Sequence, residues 1–146
     1  IHGGRQAMPI EYDNGKAPNY SEAELEFTPT QNWTLYGVTD LSLWVRGTAT
    51  NGAGKLYVAV ADSTNKVAVA TNPDAAALTL ETWTEWKIPL SSLTGVNLAK
   101  VKTLYIGVGD RKTPAAGGAG RIYIDDIRLA PESVEFTVPA EPDAAL

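Results

Sequence analysis

Cysteine is absent from this chain of 146 residues, histidine and methionine occur once each, and phenylalanine twice. Without thiols there can be no disulfide, no thiolate metal site and no cysteine nucleophile. The one histidine, His2, lies at the end of the sequence and reads as part of a frayed terminus, so a histidine-based triad has no natural home. Long apolar runs are also missing, and no stretch approaches the roughly 20 residues of a membrane helix. Positive charge is in deficit, 12 Lys and Arg against 17 Asp and Glu, for a net charge of −5. That balance argues against nucleic acid or an anionic membrane as the main partner. The Gly-rich stretch Gly117-Gly-Ala-Gly120 lacks the Lys-Ser/Thr that follows in a phosphate loop, and it reads as flexibility.

What is present is β-structure. Gln6–Tyr12, Glu22–Thr28, Val38–Gly47, Lys55–Asp62, Lys66–Thr71, Thr84–Leu90, Val101–Gly109 and Arg121–Ala130 are short, rich in β-branched and aromatic residues, and separated by turn clusters. Asn51-Gly-Ala-Gly54 and Asp62-Ser-Thr-Asn65 are expected as hairpin connections, and Arg111–Gly120 as a longer mobile loop. Only Pro89–Leu93 and Pro73–Leu80 have room for a helical turn, and the former suits a strand end better. Regular short strands without alternating helices predict an all-β fold, a two-sheet antiparallel β-sandwich or jelly roll. The domain is expected to span residues 1–131. Residues 132–146, acidic and Pro-containing, read as a linker in which Val134, Phe136 and Val138 alternate as one more short strand would. Beginning at Ile1-His-Gly-Gly, the chain reads as a piece of a longer polypeptide.

Alternation separates core from surface. Leu41, Leu43 and Val45 point inward, leaving Trp44 and Arg46 outside. Leu56, Val58 and Val60 point inward, leaving Tyr57 outside, and Leu104, Ile106 and Val108 leave Tyr105 and Gly107 outside. Flat aromatics beside very small residues make a shallow groove suited to stacking on sugar rings, with charged side chains at its rim for hydroxyl groups. Covering by a loop or terminal segment is the alternative for any one of Trp44, Tyr57 and Tyr105. Trp86 shares a face with Ile88 and Leu90 and is expected in the core, Trp83 fits either role, and Trp33 is expected to anchor a loop.

Arg121-Ile-Tyr-Ile-Asp-Asp-Ile-Arg-Leu129 carries two adjacent carboxylates in an apolar strand. Strict alternation puts Tyr123, Asp125, Ile127 and Leu129 on one face, which ends in an apolar pair, so Asp125 is expected inward and Asp126 outward. A buried carboxylate needs a cation or several hydrogen bonds, and a structural calcium ion would supply oxygen-ligand compensation. For catalysis, Asp62, Glu85, Asp110 and Asp126 are candidate acids for a glycosidase pair, but no spacing sets them apart from solvated loop acids.

Four segments in one order, Gly3–Tyr12, Leu41–Gly47, Thr82–Leu93 and Ile122–Leu129, resemble the β-jelly-roll carbohydrate-binding modules of bacterial polysaccharide-degrading enzymes, particularly family 11 and its relatives. The most specific elements are Trp83-Thr-Glu followed by Ile88-Pro-Leu-Ser91, and Tyr123-Ile-Asp-Asp-Ile127. The resemblance implies a concave sheet that binds a glucan through aromatics, and a structural calcium ion away from the groove, with Asp125 matching the usual ligand. Those modules usually open with an earlier strand that often bears an acidic ligand; here that ligand is absent, replaced by Glu22 or Glu24, or supplied differently.

The resulting expectation is a non-catalytic module for a β-glucan such as cellulose or mixed-linkage glucan, with Trp44, Tyr57, Tyr105, Arg46 and Arg111 as carbohydrate-binding residues and Asp125 as the calcium ligand. It is expected to be a monomeric module within a larger secreted or cell-surface bacterial protein. The alternatives are a structural or adhesive spacer, which has no need of an aromatic outer face, and a small glycan-active enzyme.

Overall fold

The computed structural model describes residues 7–131, so the expected linker and its alternating Val134, Phe136 and Val138 lie outside the described residues. Eight strands follow one another: β1 (Met8–Asp13), β2 (Tyr20–Gln31), β3 (Val38–Arg46), β4 (Leu56–Asp62), β5 (Val67–Thr71), β6 (Thr84–Pro89), β7 (Val101–Gly109) and β8 (Ala119–Pro131). They form two four-stranded antiparallel sheets, ordered β1-β8-β3-β6 and β2-β7-β4-β5. This is the expected jelly-roll sandwich. Its helical content among the described residues is two 3₁₀ turns, Leu90–Ser92 at the end of β6 and Leu98–Lys100 before β7.

The period-2 pattern places the core between the sheets. Ile10, Leu41, Leu43, Val45, Ile88, Ile122 and Ile124 come from one sheet, and Leu56, Val58, Val60, Leu104, Ile106 and Val108 from the other, all nearly or fully buried. Each such side chain contributes roughly 1.5–3 kcal/mol when removed from water. Trp86 stands opposite Leu43 and packs against this core, as expected. Trp33 is buried at the expected loop, with its ring edge-to-face on Phe27 and its indole N–H donating to Gln31.

Asp62-Ser-Thr-Asn65 forms the expected hairpin between β4 and β5. Asp62 holds it: one carboxylate oxygen accepts from the Thr64 N–H, the Thr64 hydroxyl and the Lys66 N–H, and the other from the Asn97 N–H. These donors, led by the Asn97 amide, hold its pKa well below the usual carboxylate range. Asn51-Gly-Ala-Gly54 departs from expectation. It joins β3 to β4, which belong to different sheets, so the chain crosses the sandwich there instead of turning back beside itself. Gly52 and Gly118 press together at this crossover, where a Cβ on Gly118 would lie 2.7 Å from Gly52 backbone atoms.

The larger correction concerns Asp125. Register between β3 and β8 runs Arg46↔Tyr123, Val45↔Ile124 and Trp44↔Asp125, then shifts to Ser42↔Arg128. An extra residue has been inserted on β8, a β-bulge, with Asp126 at φ +50°. Aspartate tolerates this left-handed conformation better than most residues, and its N–H is held by Asp125 Oδ1 at 2.8 Å. The bulge resets alternation, so Ile122 and Ile124 face inward before it and Ile127 and Leu129 pack inward after it. Asp125 thereby shares the outer side with Trp44 and Tyr123, against the inward placement that strict alternation demands.

Candidate functional site

The outer side of the β2-β7-β4-β5 sheet is built in rows fixed by register. Glu22, Gly107, Tyr57 and Thr71 form one row, and Glu24, Tyr105, Ala59 and Val69 the next. Tyr57, Ala59 and Ala61 are buried although they point away from the sandwich core. Gly107 is what lets Tyr57 lie flat. A Cβ there would stand 2.7 Å from the Tyr57 hydroxyl and 2.4 Å from the Ser21 carbonyl oxygen.

A polar chain crosses this face. Tyr57 donates its hydroxyl to Glu22 Oε1 at 2.5 Å, and Glu22 receives Arg111 through both oxygens, Nε at 2.8 Å and Nη2 at 3.1 Å. The Arg111 guanidinium carbon in turn lies 4.5 Å from the Tyr105 ring centroid and 6.0 Å from that of Tyr20. Burial, followed by the hydrogen bond to anionic Glu22, pushes the Tyr57 hydroxyl far above its ordinary pKa. Tyr57 is therefore a permanent donor. The bidentate pair occupies one edge of the guanidinium and leaves its remaining N–H groups for an incoming acceptor.

The five residues expected to bind sugar divide between opposite sides of the molecule. Tyr105 and Arg111 meet on this face, and Tyr57 lies beneath it, buried as a positioning group with 1% of its surface exposed. Trp44 and Arg46 belong to β3 and point out from the other sheet, where Arg46 lies 5.9 Å from the Trp83 centroid and 5.4 Å from that of Tyr123. Alternation distinguishes inside from outside, but a sandwich has two outsides. Tyr20 and Glu22 were missing from the expected binding set. Tyr20, Glu22 and Glu24 alternate along β2, a signal that becomes visible once that strand begins at Tyr20.

The candidate acids have structural employment. Asp62 caps the β4–β5 hairpin, Glu85 accepts from the Ser42 hydroxyl at 2.7 Å, and Asp126 forms the bulge. Asp110 accepts from the backbone N–H groups of Thr113 and Lys112 and from the Thr113 hydroxyl, which lowers its pKa. Among the described residues no three His, Asp or Glu side chains converge as metal ligands. Glu22, offered as a substitute calcium ligand, is committed to Arg111 on the opposite sheet from Asp125.

Among the described residues no helix is long and apolar enough to cross a membrane. No protein-family model matches the chain, and no curated protein sequence matches it. Solved structures do. A family 30 carbohydrate-binding module superposes with a TM-score of 0.69 at 16% identity, over 96% of this chain and 74% of that one. The family 11 carbohydrate-binding module from Clostridium thermocellum, in complex with a β-1,3-1,4-mixed-linked tetrasaccharide, gives 0.58 at 15%, over 86% and 75%. An exo-β-agarase gives 0.68 at 10% identity over 88% of this chain, which spans 20% of the agarase. At these identities what is shared is the fold, and the chain has the two-sheet jelly roll of family 11 and family 30 carbohydrate-binding modules.

Proposed function

We propose that this domain is a non-catalytic carbohydrate-binding module whose site is the outer side of the β2-β7-β4-β5 sheet. The observation that carries the reading is Arg111, fixed by Glu22, which Tyr57 holds in turn, and laid over Tyr105 on the outer side of that sheet. A guanidinium held at two points offers its other N–H groups to neighbouring hydroxyls at little entropic cost, and Tyr20 and Tyr105 flank it with flat surface for a sugar ring. Glu24, exposed beside Tyr105, accepts from hydroxyls on the next ring. Support comes from the shared fold, which in one neighbour holds a mixed-linkage tetrasaccharide. The ligand proposed is a β-glucan such as cellulose or mixed-linkage glucan. The role proposed is to hold a secreted bacterial multidomain protein on that polysaccharide.

Affinity electrophoresis through gels containing soluble β-glucans tests this. Arg111→Ala and Tyr105→Ala are expected to weaken retention about tenfold, the loss typical of a central Arg or aromatic anchor. Their melting curves establish that each variant remains folded. Absence of retention of the unaltered domain on every glucan would refute the reading and leave a spacer domain.

A further inference from the structure

We infer that one end of this same groove is an anionic-sugar subsite, selecting a ring that carries a carboxylate or sulfate; the inference rests on the carbohydrate-binding reading above. A cavity of about 190 Å³ opens where β4 begins and β5 and β7 end, lined by Lys55, Val69, Thr71, Gly109, Asp110, Arg111 and Lys112. It adjoins the Arg111 platform and is of a size to take a single sugar ring. Lys55, Arg111 and Lys112 border it against two carboxylates: Glu22 offsets the charge of Arg111, and Asp110, which stays ionised in the lining within the field of Lys55, leaves an excess of one positive charge. Glu22 is bound to Arg111, while Asp110 accepts from the Lys112 and Thr113 backbone and the Thr113 hydroxyl. Lys55 and Lys112 are exposed and form no ion pair among the described residues.

The side chains divide the recognition of an acidic pyranose between them. Lys55 and Lys112 face its anionic substituent, the Thr71 hydroxyl and the unused Arg111 N–H groups meet ring hydroxyls, and Val69 offers an apolar surface to the ring. The rest of the molecule argues for a local effect. A chain of net charge −5 repels a polyanion as a whole, so a preference for an anionic glycan has to come from a local cluster of cations such as this one.

The test compares three soluble derivatives of one backbone in affinity gels: neutral hydroxyethylcellulose, carboxymethylcellulose and cellulose sulfate. The subsite predicts retention on at least one anionic derivative about tenfold stronger than on the neutral one, the sum of two modest exposed charge pairs. The preference disappears at about 0.5 M salt and in Lys55→Gln/Lys112→Gln, while retention on hydroxyethylcellulose is unchanged. The carboxylate and sulfate arms identify which substituent is taken. Equal retention on all three polymers, or an anionic preference that survives the double substitution, overturns the subsite and leaves the module reading intact. No retention on any polymer overturns both.

Discussion

Replacing Tyr57 by Phe removes one oxygen from the middle of the candidate site and nothing from the core between the sheets. The lost bond is the 2.5 Å donation to Glu22, an acceptor that carries charge. Hydrogen bonds to charged groups are worth about 1.5–3 kcal/mol. Glu22 keeps both contacts from Arg111, so the expected loss is toward the lower part of that range, about 1.5–2 kcal/mol. For a domain of this size that is a fall in Tm of about 3–8 °C. Glycan retention falls with it, because Glu22 is no longer held on the side away from Arg111. Tyr12→Phe is the matched control. Its hydroxyl donates to the Gly52 carbonyl at 2.6 Å, away from the site, so that variant loses stability and keeps retention. Differential scanning calorimetry and affinity gels on both variants decide the matter. An unchanged Tm for Tyr57→Phe, or lowered Tm with undiminished retention, would refute the claim that Tyr57 positions the Glu22–Arg111 pair.

Gly107→Ala places a methyl group against the Ser21 carbonyl and the Tyr57 hydroxyl, and the overpacking is expected to cost about 1–3 kcal/mol in denaturant unfolding together with loss of retention. The depressed pKa of Asp62 makes a pH prediction. Its stabilisation is complete above the unfolded-state value of about 3.9 and is lost as pH falls through the lower folded value. Asp62→Asn should therefore be several degrees less stable near neutrality, with the two Tm curves converging in acid; parallel curves would contradict this. Asp125→Ala removes the acceptor for the bulge amide of Asp126 and is expected to lower Tm equally in calcium and in chelator. A loss seen only with calcium present would instead assign Asp125 to a metal site.

All eight strands were legible because turn clusters and period-2 alternation are written locally, and the apolar sets identified by alternation in β3, β4 and β7 face the core. Sheet membership was not. Whether β3 or β4 pairs with β7 depends on contacts distant in sequence, and Trp44 and Tyr105 therefore looked like neighbours while standing on opposite sides. The bulge escaped for another reason: one inserted residue inverts the facing of everything on one side of it, and nothing local distinguishes Asp125-Asp126 from a regular pair. Arg111 was read as a rim donor, and it lies over the Tyr105 ring on the outer side of the β2-β7-β4-β5 sheet. Tyr57 was read correctly as pointing outward, but its burial depends on Gly107 across the strand pair, a relation that only register reveals.

The central claim is the choice of face, and a ¹⁵N-resolved NMR titration with a soluble mixed-linkage or cellulose oligosaccharide tests it most directly. The account predicts shifts centred on Tyr20, Glu22, Tyr105, Gly107 and Arg111, with the Trp44 and Trp83 indole signals unmoved. Shifts centred on Trp44, Arg46 and Tyr123 would contradict it and move the site to the β1-β8-β3-β6 sheet.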